Sequence, residues 1–453
     1  MGCTCNSGET REKTQPNIQN KENKQNIQST QVKPKNNQEV LETGDLALNQ
    51  ESLSFDKNLC TSIESSLPRR AQTTLQSLKD LTKQKTENIS PKEKAFVVFL
   101  WVCYNIDYDA EGYFSGRNVD CTPNGVFQNG KTVCSGYARL YREITTYIGL
   151  EVQCVNCYAK GVSYHPGQKF NSTNHEYNVI KLNQNWYPID STWGAGHIEG
   201  KEYIKAYNEF YFLANPELLI KTHFPEDEKW QLTKKKYTLE DFSSWPKVDS
   251  NFYQYGFKKF YPEEGLINLK NENTFKFIIY GENMKKKRGG CHIYLLEGNC
   301  YCQKLNLDFI NYYEDRFEID CIFNKKGKYK ITLFGNDDVS QTKTHSVMDY
   351  TVNVENDAEK EINFPHTYAS SNEINLISPL NSKLKSGEKV KFKVKSDLDT
   401  IIIVDGKWNY LEKNEEGFFE SEIQIQSLPG KNVVIAKKKG TNSCSYLVSY
   451  DVI

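Results

Sequence analysis

Three residues in this chain have the types and the order that thiol chemistry needs: Cys134, His175 and Asp190. Nucleophilic catalysis by cysteine requires a thiolate, a base that makes it and a group that orients the base. Cys134 stands in "NGKTVCSGYARLYREI", after a Gly-Lys turn. The apolar positions that follow, Tyr137, Leu140, Tyr141, Ile144 and Ile148, mark one face of a helix that Gly149 ends. A cysteine at a helix start meets unpaired N–H groups and the positive end of the helix dipole. Both lower a thiol pKa, and the same N–H groups can hold an oxyanion.

The base must be a histidine, and the surrounding sequence offers His165, His175, His197 and His223. His165 lies in "YHPGQ", a turn. His175 opens "HEYNVIKL", read as a strand, and "NWYPIDSTW" is read as its hairpin partner. A two-residue turn at Asn183-Gln184 puts Asp190 opposite Tyr177, so that His175 and Asp190 are diagonal neighbours on one face. A three-residue turn puts them on opposite faces. Taken singly, each residue has a plainer reading, since cysteine is among the most buried residue types.

Other cysteine patterns are weaker. "CVNC" (Cys154, Cys157) sits inside a predicted strand, which turns its two thiols to opposite faces, and "CYC" (Cys300, Cys302) has the same problem. There is no second pair at zinc-finger spacing, no phosphate loop and no HExxH motif, so neither metal nor cofactor is expected. "FPEDEKW" clusters acids without the alternating oxygen ligands of a calcium loop.

The elements that must position these residues are also readable. "AQTTLQSLKDLTKQ" has a helical pattern. In "SPKEKAFVVFLWVCYN", Ser90 is a cap, Pro91 takes the first helical position and Glu93 completes a capping box. The apolar run behind it predicts a deeply buried helix, with Trp101 as core. "LEVQCVNCYAKG" reads as a strand, and "EFYFLANPELLI" as a strand followed by a helix from Pro216. From about residue 250 short β runs take over, among them "TFKFIIYG", "RFEIDCIF" and "GKYKITLFG". Phe317, Ile319, Cys321 and Phe323 alternate as a buried strand face does. The pattern stops near Asp357 and resumes at "EINLISPL", which predicts two consecutive β-sandwiches.

Bulk properties bound the rest. A chain of 453 residues predicts two to four domains, and a net charge of -1 gives no support to a nucleic-acid partner. Thirteen scattered cysteines without a secretory signal predict a reducing, cytoplasmic compartment. The longest apolar run, Ala95 to Tyr104, is shorter than the roughly 20 residues a membrane span needs. The opening "MGCTCNS" offers a different route to a membrane. Gly2 suits N-myristoylation, and Cys3 and Cys5 suit palmitoylation, although Asn6 stands where the usual motif has Ser or Thr. Two or three acyl chains anchor stably where one does not. Residues 1–52, Asn/Gln-rich and aperiodic, then read as a disordered tether.

"GKTVCSGYARLYREITTYIGLEV" and "NHEYNVIKLNQNWYPIDSTWGAG" resemble the transglutaminase-like superfamily of papain-like cysteine enzymes. There the order is Cys, His, Asp, with a Thr-Trp pair after the Asp, here Thr192-Trp193. "KGVSYHPGQ" and "YFLANPELLIKTHFPEDEKWQL" narrow the resemblance to its kyphoscoliosis peptidase branch. One departure is Glu176-Tyr177, where relatives often have a small residue and Trp. The resemblance implies an α+β class: a papain-like transglutaminase core, with helices packed on an antiparallel sheet, at 53–245. Two all-β sandwich domains follow at 250–358 and 365–453. By position it makes Cys134 the nucleophile, His175 the general base and Asp190 the orienter. It leaves amide hydrolysis, acyl transfer to amines and a catalytically silent scaffold all open. The implied partners are a protein or peptide substrate, cytoskeletal proteins and, through the acyl chains, the inner face of a membrane. If the anchor operates, Gly2→Ala moves the protein from the membrane to the soluble fraction. Unchanged fractionation contradicts it.

Overall fold

The computed structural model describes residues 55–297, 300–305, 307–368, 373–439 and 443–453. The expected tether and its acylation residues Gly2, Cys3 and Cys5 lie outside them. The described chain divides into two compact units: 55–157 with 174–216, and 158–173 with 217–453.

The first unit is built on the helix Pro91–Asn105, which starts as its sequence predicts. The Ser90 hydroxyl accepts from the Glu93 N–H, the Glu93 carboxylate accepts from the Ser90 N–H at 2.8 Å, and Pro91 occupies the first turn. All residues from Ala95 to Cys103 are buried. Each large apolar side chain there contributes about 1.5–3 kcal/mol by leaving water. Trp101 is core, stacked on Phe127, with its indole N–H donated to the Pro68 carbonyl at 3.1 Å.

The helix Cys134–Tyr147 packs on this one through its tyrosines. The Tyr137 hydroxyl donates to the Ile106 carbonyl at 2.7 Å and the Tyr141 hydroxyl to the Ala95 carbonyl at 3.1 Å. These bonds let two large rings be buried without leaving a hydroxyl unsatisfied. Gly136 is required by the approach of Thr132, whose Oγ1 would lie 2.0 Å from any Cβ at that position.

Strand His175–Leu182 runs antiparallel to both Glu151–Ala159 and Asn185–Ile189. Asn183 and Gln184 both have positive φ (48° and 72°), and Leu182 pairs with Asn185, so the turn has two residues. This is the type I′ geometry that matches strand twist. The register runs to Asn178 opposite Ile189, and its continuation brings Tyr177 and Asp190 to the end of the ladder. The fully buried Asn178 side chain crosses to the neighbouring helix and donates to the Ala138 carbonyl at 3.0 Å.

One expectation fails. "EFYFLANPELLI" forms no strand: Glu209–Tyr211 is a 3-10 turn, and the helix after it is only Pro216–Leu219. Asn208 caps the turn by accepting from the Phe210 N–H, and the Tyr211 carbonyl accepts from the Asp190 N–H at 3.0 Å. Phe212 turns inward against Phe96 and Phe99. The segment uses its backbone and rings to clamp a corner, so it has no ladder to join.

In the second unit two β-sandwiches follow one another. The first faces a four-stranded sheet (Phe257–Tyr261, Thr274–Gly281, Arg316–Ile322, Asp308–Tyr312, in that order) against a six-stranded one. Phe317, Ile319, Cys321 and Phe323 are buried in their common core, as the alternation predicts. The second sandwich encloses Phe392, Val394, Ile402, Ile435 and Tyr450.

Gly136→Ala tests the helix packing. Forcing a methyl group onto Thr132 should cost about 1–3 kcal/mol, read as a lower denaturant midpoint. An unchanged midpoint contradicts this packing.

Candidate active site

Asp190 ends the hairpin and caps the short helix Ser191–Ala195. Its Oδ1 accepts from the Thr192 N–H at 2.8 Å and the Trp193 N–H at 3.0 Å. Its Oδ2 accepts from His175 Nε2 at 2.6 Å. The carboxylate is 1% exposed, so both oxygens depend on protein donors. The two-residue turn therefore produces the diagonal pair its register predicts.

Cys134 is the first residue of its helix and is 3% exposed. The residue before it, Val133, supplies no side-chain cap. The Gly136 N–H closes the first turn on the Val133 carbonyl at 2.9 Å. The Cys134 side chain interacts with His175 through a hydrogen bond and through charge. Trp193 lies across the imidazole, ring centroids 5.8 Å apart, and packs edge-on to Tyr211.

The electrostatics follow from burial and pairing. Desolvation pulls the His175 pKa down, but the Asp190 charge and hydrogen bond, with a further contribution from Cys134, carry it up to about 10. A buried imidazolium is held in place by a carboxylate that cannot find water.

Cys157 gives the contrast. It pairs directly with His175 in the ladder and is fully buried within a strand. Burial, with the charges of Asp190, Cys134 and Glu176, pushes its thiol well above the ordinary range. Two thiols share one neighbourhood, and only Cys134 has the helix start and the imidazole.

Of the other histidines, His165 sits in its predicted turn, which its carbonyl closes by accepting from Gln168 N–H at 2.9 Å. His197 is exposed beside Glu199, 3.2 Å away. His223 is buried in strand His223–Pro225 of the second unit. Tyr177 is buried as packing, and Glu176 lies 3.9 Å from Arg139. Sequence reasoning missed Asn178, whose bond to Ala138 ties the histidine strand to the cysteine helix. A polar residue amid the buried run of "HEYNVIKL" was the available signal.

Residues 77–191 match the sequence profile of the Transglutaminase-like superfamily, and residues 239–365 match that of the KY-like, immunoglobulin-like domain. Residues 77–191 thus resemble a transglutaminase-like domain and residues 239–365 a KY-like, immunoglobulin-like one, and the kyphoscoliosis peptidases are among the similar proteins. It is 34% identical over 185 residues to kyphoscoliosis peptidase of Mus musculus, a match covering 40% of this chain and 28% of the relative. The Homo sapiens protein of that name is 33% identical over 182 residues, with the same coverage. Hillarin of Drosophila melanogaster is 29% identical over 201 residues, 41% of this chain and 24% of the relative. The matched part thus spans little more than a quarter of the kyphoscoliosis peptidases. The transglutaminase-like profile contains Cys134, His175 and Asp190, with Asp190 next to its last residue.

The raised His175 pKa fixes a pH dependence. Its stabilisation is complete below the unfolded value, about 6.5, and is lost as pH rises through about 10. Chemical denaturation from pH 6 to pH 10.5 should show this loss in the native chain. Asp190→Asn should lower stability by about 3–5 kcal/mol at neutral pH and flatten the profile. An Asp190→Asn profile that keeps the same alkaline loss contradicts the pairing.

Proposed function

We propose that this chain is a cysteine enzyme acting on protein amides by a Cys134–His175–Asp190 triad, held at the cytoplasmic face of a membrane by its acylated N-terminus. The observation that carries the chemistry is the His175 imidazole engaged by Asp190 at one nitrogen and by the Cys134 thiol through the rest of the ring.

In this reading the proton of the Cys134 thiol already rests on the His175 imidazole, and the Sγ thiolate attacks a carboxamide or peptide carbonyl. The tetrahedral oxyanion is held by N–H groups of the helix's first turn. The imidazolium returns its proton to the departing amine or ammonia, and the C–N bond breaks to leave a thioester on Cys134. Water or a second amine, deprotonated by His175, attacks the thioester and releases the thiol. Asp190 keeps the ring oriented and its charge compensated throughout. The resemblance to the kyphoscoliosis peptidase branch favours water over an amine as the acceptor. Cytoskeletal proteins are the proposed partners by the same resemblance.

One observation favours a second reading. Cys134 is 3% exposed, so a peptide reaches the sulfur only if the covering side chains move. A chain in which they never move is a binding scaffold with an unused triad.

Reaction with iodoacetamide at neutral pH, followed by peptide mapping, separates the two. The enzyme reading expects Cys134 to be alkylated at least roughly tenfold faster than the other cysteines, as an activated thiolate is, and His175→Ala to abolish the advantage. Cys157 serves as the inert internal reference. Labelling of Cys134 at the bulk thiol rate, indifferent to His175→Ala, sinks the enzyme reading and leaves the scaffold.

A further inference from the structure

The first β-sandwich holds two cysteines that the proposed reaction does not use. Cys291 lies on strand Arg288–Glu297, where it pairs with Leu333 in the six-stranded sheet. Cys321 lies on Arg316–Ile322, where it pairs with Phe275 in the four-stranded sheet. Both side chains enter the same apolar core between the sheets, among Phe257, Phe277 and Ile293. Their thiols share a hydrogen bond. Two cysteines from facing sheets therefore interact in a core otherwise built of aliphatic, aromatic and methionine side chains.

That meeting is selective. A disulfide needs Cβ atoms about 3.8 Å apart and sulfurs that can close to about 2.05 Å. Side-chain rotation that brings two neighbouring thiols together is the motion such closure requires. Burial is nearly complete, so a bulky oxidant is excluded and a small one is required. Burial also raises the Cys321 thiol pKa, an effect the Cys291 hydrogen bond opposes, and this makes the reaction slow relative to that of a surface thiolate.

We propose that Cys291 and Cys321 form a peroxide-sensitive pair that closes to a disulfide between the two sheets. One thiol sulfur attacks an oxygen of hydrogen peroxide. The O–O bond breaks, a water leaves and a sulfenic acid remains. The second sulfur then attacks the sulfenic sulfur, the S–O bond breaks and a second water leaves. Two thiols are oxidised by two electrons, and one peroxide is reduced to two waters. The product joins covalently two sheets that otherwise meet through apolar contacts and the Tyr312 hydroxyl's bond to the Gly289 carbonyl, and it closes the loop from 291 to 321 in the unfolded chain. The proposal is independent of the triad: it stands if Cys134 proves inert.

The test uses the full chain. Protein is incubated with hydrogen peroxide, remaining thiols are alkylated under denaturing conditions, and peptides are mapped by mass spectrometry without reduction. The expected product is a linked peptide pair containing Cys291 and Cys321, lighter by two hydrogens than the separate peptides. Its formation should raise the melting temperature by on the order of 10 °C, and dithiothreitol should reverse both changes. Cys321→Ala and Cys291→Ala should each remove the linked pair and the shift. Recovery of both residues as alkylated thiols, after peroxide has oxidised the exposed cysteines, overturns the proposal. So does either residue found bound to a different cysteine or stopped at the sulfinic acid. The mapping of the native chain decides the matter even if a variant folds poorly.

Discussion

The contact between His175 and Asp190 constrains everything around it. A carboxylate removed almost wholly from water must have all its oxygen lone pairs answered, or it will take up a proton. Here the Thr192 and Trp193 N–H groups answer one oxygen and the imidazole answers the other. Asp190 therefore does two jobs with one side chain: it caps a helix and it holds a base. The double use explains why the hairpin must end where it does. A register shifted by one residue would present the carboxylate to the opposite face and leave both jobs undone.

The scaffold transmits this constraint to Cys134. The buried Pro91–Asn105 helix anchors the cysteine helix through Tyr137 and Tyr141, and Asn178 binds that helix to the histidine strand. Gly136, two residues past the cysteine, lets the first turn come down on Thr132. Helix start and imidazole are thus fixed by separate sets of bonds. Cys157 shows what the neighbourhood does to a thiol that has burial without them: it drives the pKa up. The two thiols differ in that Cys134 opens a helix and interacts with His175, whereas Cys157 is buried within a strand.

Much of this was legible in the sequence because it depends on local rules. Ser90, Pro91 and Glu93 define a helix start whatever lies nearby, and of the two turn lengths the sequence allowed at Asn183-Gln184 the structure has the two-residue one. Given that register, the meeting of His175 and Asp190 follows from strand geometry alone. What was not legible depends on distant partners. The Asn178 bond to Ala138 exists only once helix and strand are packed. The aromatic segment around Glu209 looked like a strand because its residues suit a pleated surface. Its rings are spent on filling a corner against Phe96 and Phe99, and its backbone on holding Asp190. The β-sandwiches were readable through their alternation, but not the meeting of Cys291 with Cys321, which needs the two sheets face to face.

The central proposal is that His175, paired with Asp190, activates the Cys134 thiol as a nucleophile. The most direct measurement is the rate of Cys134 alkylation, followed by mass spectrometry, as a function of pH between 5.5 and 9.5. A thiolate already formed at neutral pH gives a rate that is nearly flat across the upper part of that range. A rate that climbs tenfold per pH unit up to the ordinary thiol value of about 8.5 or beyond it would show an unactivated thiol and contradict the account.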